Sequence, residues 1–266
     1  MRLRSRRTVV VLAAVATLTA LAASAAALRP APERPARAAR AITLPAPVAP
    51  AFVPGAPKSL GSRRYLSAWA PVRRRATARA APTPRARAIA VVDIRTPEGT
   101  DNTVSVLRRR RDGAGRTWVL ARLPVLPTGA VGWLPRDALG GYTTVSSQLD
   151  VDLATLTLTL YRDGRQALRA PVGVGMPGWD TPRGTFYIRN KLTRYQSPEY
   201  GPVAFGTSAR SAHATDWPAG GFVGIHGTDR PDLLPGRVSH GCIRLRNADV
   251  LALDRLMPVG TPVRIH

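Results

Sequence analysis

From Ala88 to Tyr142, short apolar runs recur between polar breaks. Ala90-Val91-Val92-Asp93-Ile94 and Thr103-Val104-Ser105-Val106-Leu107 read as strands, and Trp118 to Leu123 alternates. Val131-Gly132-Trp133-Leu134 follows a glycine-containing turn, and Arg108 to Arg111 with Asp112-Gly113 fit the solvated end of a hairpin. From Ser146 to His266 the chain is again strand-rich. Leu149 to Leu153 leads into Thr155 to Tyr161, where the period is two and Asp163-Gly164 marks a hairpin turn. Gln166 to Gly175 returns as the next strand, and Pro177-Gly178 and Thr181-Pro182-Arg183-Gly184 are turns before the strand Thr185 to Ile188. Ser197 to Gly221 has little periodicity and reads as a long loop of the kind that covers binding sites. Asn247 is placed to N-cap a helix over Ala248 to Met257, with Val250, Leu251, Leu253 and Met257 as its buried stripe. Gly260 to Ile265 closes as a strand. The pattern predicts a mainly β protein in two bodies, 88–142 and 146–266, with one short C-terminal helix.

The first third differs in kind. Residues 29–87 are rich in Ala, Pro and Arg with no sustained period, so they bury too little surface to offset their ordering entropy. They are expected to be a disordered linker. Before them, Arg2, Arg4, Arg6 and Arg7 precede an uncharged run from Thr8 to Leu28, the order of a signal peptide or membrane anchor over 1–28. Export follows, either as a secreted protein or one held by its N-terminus, in the cell wall or periplasm. The net charge of +23 is spread as +4 over 1–28, +12 over 29–87 and +7 over the remaining residues. Most of the excess lies outside the expected folded bodies, which argues against nucleic-acid binding. It suits adhesion of the linker to anionic wall polymers or a lipid surface.

Chemistry concentrates near the C-terminus. The only cysteine, Cys242, lies in Ser239-His240-Gly241-Cys242-Ile243-Arg244-Leu245, after Gly224-Ile225-His226-Gly227-Thr228. An unpaired thiol in an oxidising compartment is exposed to oxidation unless it is used. A thiol attacks a carbonyl as thiolate, so it needs a base, and histidine is that base near neutral pH. If 239–243 is extended, His240 and Cys242 share a face. His226 ends an apolar segment, Gly221 to Ile225, and a paired neighbouring strand would bring it beside Cys242. Gly241 would leave the N–H groups of 241 and 242 open to a developing oxyanion. A zinc site from His226, His240 and Cys242 matches no ligand spacing we can support. Ser239 lacks the nucleophile-elbow setting and would compete with an adjacent, better thiol.

These residues resemble the YkuD-type L,D-transpeptidase family: His226-Gly227, a connecting loop, then Ser239-His240-Gly241-Cys242, with Arg244 at the polar position two residues on. Val172-Gly173-Val174-Gly175 and Thr181 to Phe186 resemble the strand and turn that precede the family's site. The resemblance covers roughly 146–266 and implies a β-sandwich or barrel-like catalytic domain with a short C-terminal helix. Trp118 to Leu123 with Gly132-Trp133-Leu134-Pro135 resembles bacterial SH3-like domains, a small β-barrel serving as spacer or wall-binding module. The first resemblance implies Cys242 as nucleophile and His226 as proton donor and acceptor, oriented by the Gly227 carbonyl. It implies His240 as an auxiliary group beside the thiol, Gly241 as an oxyanion amide, and Arg244 on a substrate carboxylate. The expected reaction joins peptidoglycan stem peptides through a thioester with release of D-Ala, without metal or organic cofactor. Two alternatives stay open: a stem-peptide hydrolase (an L,D-carboxypeptidase), and a non-catalytic wall-binding protein.

Overall fold

The computed structural model describes residues 66–193, 197–211 and 221–266. The signal or anchor segment therefore lies outside the described residues, as do 212–220 of the expected long loop. No helix among the described residues is long and apolar enough to cross a membrane.

The first body is an antiparallel sheet built from β1 (Ser67–Pro71), β2 (Ala76–Arg79), β3 (Ala88–Val92), β4 (Thr103–Arg111), β5 (Thr117–Arg122), β6 (Val131–Pro135) and β7 (Thr143–Val145). The strand order is β3-β2-β6-β5-β4-β1-β7. Of the expected linker over 29–87, 29–65 lies outside the described residues; the expectation is corrected for 66–87, where β1 and β2 fall and β1 is an interior strand. Their inward residues are Ala68, Ala70, Ala76 and Ala78, all buried. Alanine carries little hydrophobic signal, so a strand lined with it is mistaken for low-complexity chain. The Arg108–Arg111 run continues β4 and pairs with Thr117–Leu120 of β5, so it forms the two-strand tip of the hairpin.

The second body begins with β8 (Ser147–Asp152), β9 (Thr157–Arg162), β10 (Arg165–Pro171) and β11 (Gly173–Gly175). The turn Asp163-Gly164 has positive φ at both positions, 49° and 77°, as a tight hairpin requires. Next come β12 (Gly184–Leu192), β13 (Ala204–Arg210), β14 (Phe222–His226), β15 (Gly236–Ser239), β16 (Ile243–Arg244), the helix α1 (Asn247–Leu256) and β17 (Pro262–Ile265). The order is β10-β9-β8-β17-β12-β13-β14-β16-β11-β15. The expected single strand over 166–175 is thus two. β10 lies at one edge of the sheet and β11 next to the other, with only Val172 between them, so the sheet must curl back on itself. That curl gives the sandwich-like fold. It encloses Leu149, Leu158, Leu160, Val174, Phe186, Ile188, Phe205, Val223, Ile225, Ile243, Val250 and Leu253 in one core.

Two other expectations change. The stretch 197–221 contains β13, paired to β12 and β14. It escapes a period-two search because Ala204, Phe205, Thr207, Ser208 and Ala209 are buried on both faces. On α1, Val250 and Leu253 are buried, whereas Leu251 is 39% exposed and leaves the expected stripe.

The two bodies share buried polar contacts. Arg189 of β12, 1% exposed, donates through Nη2 to Glu98 Oε1 at 2.6 Å. Asn190 donates to Glu98 Oε2 at 3.3 Å and to Thr100 Oγ1 at 2.9 Å. The Tyr187 hydroxyl donates to the Thr103 carbonyl at 2.8 Å, and the Thr103 hydroxyl donates to the Arg189 carbonyl at 3.0 Å.

Candidate active site

The site starts from a register. β14 and β16 run parallel, with Ile225 beside Ile243 and His226 beside Arg244. Continuing that register by one step sets Gly224 beside Cys242. Gly224 has no side chain, and Cys242 Sγ lies against its backbone, accepting the Gly224 N–H at 3.4 Å. A Cβ placed on Gly224 would touch His226 Cδ2 at 3.6 Å and Cys242 Sγ at 3.7 Å. The imidazole edge and the sulfur therefore flank one bare patch of backbone. This is the neighbouring-strand arrangement that the sequence called for.

His226 is 2% exposed. Its Nδ1 lies 2.6 Å from the Gly227 carbonyl, which can only accept, so Nδ1 carries the hydrogen and Nε2 keeps its lone pair. Tyr200 packs on the ring with 4.5 Å between centroids. The Gly227 backbone is fixed in turn by Asn247, whose Oδ1 accepts the Thr228 N–H at 3.0 Å. A Cβ on Gly227 or Gly201 would collide with that same Oδ1 and with the other glycine's backbone, so both positions must be glycine. Asn247 is thus not the cap of its own helix. The N-cap position is Arg246, without a side-chain cap bond, and the Asn247 amide is spent on the histidine's loop.

Ser239 to Cys242 form an arch. β15 and β16 both pair with β11, which lies between them, one parallel and one antiparallel. The chain must cross two strand spacings, about 10 Å, past the end of β11. The expected extended path over 239–243 is replaced by a bend at His240-Gly241, with Gly241 at φ 111°. His240 consequently swings outward. It is exposed and meets Trp179 edge-on at 4.7 Å, so it does not share a face with Cys242 by strand alternation.

Inside the arch, Ser239 Oγ donates to the Cys242 carbonyl at 2.5 Å and accepts the Gly241 N–H at 3.2 Å. The Gly241 amide is therefore engaged, contrary to its expected openness. The Cys242 N–H has no hydrogen-bond partner among the described residues. Thr181 Oγ1 accepts the Gly175 N–H and donates to the Gly241 carbonyl, both at 2.9 Å. Gly175 cannot be replaced, because a Cβ there would meet the Trp179 carbonyl oxygen at 2.1 Å.

Burial pushes the His226 imidazole down to about 4, despite the opposing Gly227 contact, with the Arg244 charge adding to the fall. Burial also raises the Cys242 thiol above its ordinary value; the Gly224 N–H and the Arg244 charge pull the other way. Imidazole and thiol thus rest uncharged near neutral pH. Arg244 is half-buried, its Nε has no partner, and it makes no ion pair among the described residues. No group of three or more His, Cys, Asp or Glu side chains is set to hold a metal ion among the described residues.

Sequence reasoning singled out Cys242, His226, Gly227, Gly241, Ser239, His240 and Arg244, and the structure brings all seven to one corner. It missed Thr181, Asn247, Tyr200 and Trp179 as parts of that corner. Only Thr181 carried any signal, as the residue opening the turn before β12.

Residues 146–265 match the YkuD family model, the L,D-transpeptidase catalytic domain. The chain is 37% identical over 122 residues to the YkuD protein of Bacillus licheniformis, spanning 46% of this chain and 67% of that one. With YkuD of Bacillus subtilis it shares 35% over 123 residues, spanning 46% and 68%. Among solved structures, the catalytic domain of the E. faecium L,D-transpeptidase is 30% identical, with a TM-score of 0.35, covering 45% of this chain and 96% of that one. The identity to the two curated YkuD proteins, over two thirds of their length, defines the class. The chain belongs to the YkuD family of L,D-transpeptidases.

Proposed function

We propose that the protein is an exported cysteine acyltransferase that cross-links peptidoglycan stem peptides through a thioester on Cys242. The observation that carries this reading is the bare Gly224 backbone with Cys242 Sγ and the His226 ring on either side of it. His226 Nε2 takes the thiol proton as Sγ attacks the carbonyl of the third stem residue, forming a carbon–sulfur bond. The oxyanion rests on the Cys242 N–H. As the intermediate collapses, the carbon–nitrogen bond to the terminal D-Ala breaks and His226 returns the proton to the leaving amine. An amine of a second stem then attacks the thioester, its proton passes to His226, and the thiol is regenerated with that proton. Because both groups rest neutral, the thiolate forms only as attack proceeds, which protects an unpaired thiol from idle oxidation.

Arg244 is the group suited to a stem carboxylate. Its fork of donors matches a carboxylate, and a half-buried guanidinium without an ionic partner leaves that position to a ligand. His240, exposed beside Trp179, lines the approach to the thiol as an auxiliary group. Upstream, a basic N-terminal stretch would adhere to anionic wall polymers or lipid headgroups, and the first β body would act as a wall-facing module.

The test is to incubate the protein with purified tetrapeptide stems and follow products by mass spectrometry. Cross-linked dimers with equimolar D-Ala are expected. Tripeptide without dimer would reassign the protein as a stem-peptide hydrolase.

A further inference from the structure

The hydroxyl of Thr181 lies 60 residues before the Gly241 carbonyl it meets, and it is 4% exposed. It makes two bonds of fixed sense. The Gly175 N–H can only donate to it, so its own hydrogen goes to the Gly241 carbonyl. A carbonyl so held fixes the whole peptide plane that follows. The plane is rigid and trans, so the Gly241 carbonyl and the Cys242 N–H point in opposite directions. Gly241, at φ 111°, sits in a region where glycine alone moves freely, and its own side chain adds no restraint. Without an external tie, this is the peptide in the arch most able to turn over.

We propose that Thr181 is the positioning residue that sets the oxyanion site, by holding the Gly241 carbonyl on the β11 side so that the Cys242 N–H faces the acyl group. Ser239 cannot do this alone. Its hydroxyl bonds the Gly241 N–H and the Cys242 carbonyl, which belong to the peptide planes on either side of the one in question. Thr181 is anchored on the end of β11 through Gly175, the strand the arch crosses. It therefore transmits the rigidity of the sheet to the one peptide group whose direction the chemistry needs. This inference rests on the acyl-transfer reading above.

The experiment compares two reactions of the same thiol in wild type, Thr181→Val and Thr181→Ser. Alkylation by iodoacetamide needs the thiolate but no oxyanion donor; acylation by a stem tetrapeptide, or by a carbapenem, needs both. For Thr181→Val, kcat for D-Ala release and the acylation rate are expected to fall about 10- to 100-fold, somewhat less than loss of a direct oxyanion donor. KM and the alkylation rate should stay within about twofold. Thr181→Ser, which keeps the hydroxyl, should recover most of the acylation rate. Thr181→Ala serves if the valine variant does not fold. Equal losses in alkylation and acylation, or no loss in either, would overturn the assignment and leave Thr181 a packing residue. A wild-type protein that alkylates but accepts no acyl donor would instead sink the acyl-transfer reading, and this inference with it.

Discussion

Two arginines show how the molecule uses buried charge. Arg189 and Arg244 both lie on strands of the second sheet, Arg189 fully buried and Arg244 half-buried. The Arg189 charge is met by Glu98 at 2.6 Å, and its guanidinium lies over the Phe222 ring at 3.8 Å from the centroid. Its Nε stays unmatched, but the ion is neutralised within the fold, and the pair joins the two β bodies. Arg244 sits beside His226 and Cys242, and among the described residues no carboxylate answers it. A charge that the protein itself neutralises is structure, and a half-buried one left open beside the candidate thiol is available to a charged ligand. The contrast extends to the backbone: among the described residues the arch satisfies the Gly241 amide and leaves the Cys242 amide open.

The largest effect expected is at the thiol. Cys242→Ala should lower turnover by at least about 10³-fold, with an unchanged circular dichroism spectrum, because the sulfur is not packing filler for the core. Unchanged turnover would restore the wall-binding alternative. Next comes the structural arginine. Glu98→Ala strands Arg189 in the interior and should cost about 3 kcal/mol of stability, read from denaturant melts, while the folded protein keeps its alkylation rate. Arg244→Ala should do the opposite. We expect no loss of melting temperature and a KM for carboxylate-bearing stems raised about 10-fold, roughly 1.4 kcal/mol. A stability loss from Arg244→Ala as large as that from Glu98→Ala would erase the comparison.

A further expectation concerns pH. His226 is neutral in the fold down to about 4, whereas unfolded histidine protonates near 6.5. Its contribution to stability is therefore complete above the unfolded value and is lost as pH falls from 6.5 towards 4, by about 1.4 kcal/mol per pH unit. His226→Gln should flatten that slope in melts taken between pH 7 and 4.5. The raised thiol predicts that iodoacetamide alkylation climbs through the alkaline range, with no plateau at neutral pH. A rate plateau beginning near pH 4, as for a preformed thiolate–imidazolium pair, would contradict the neutral resting state.

The candidate site was legible in the sequence because thiols and imidazoles are rare in this chain and cluster visibly. Cys242 and His226 stand out by type, Arg244 by its place two residues after the cysteine, and an apolar run before His226 marks its strand. The mainly β class and the hairpin at Asp163-Gly164 were legible for the same reason, a local pattern with a local cause. What was missed depends on distant parts of the chain. The alanine-lined β1 and β2 need the whole first sheet to make their small side chains a core. β13 is buried on both faces by its neighbours, so it shows no alternation. The arch bends because β11 lies between β15 and β16, which no stretch of 239–243 discloses. Asn247 looked like a helix cap from its neighbours, and Thr228 claims it from 19 residues away.

Acyl transfer on this site requires that the sulfur of Cys242 carry the acyl group. Rapid acid quenching of the protein with a tetrapeptide stem, followed by peptic mapping, measures this directly. A tripeptidyl thioester on the peptide containing Cys242, appearing no more slowly than D-Ala is released, is the predicted result. D-Ala released at the same rate by Cys242→Ala, with no adduct on the wild-type thiol, would contradict it.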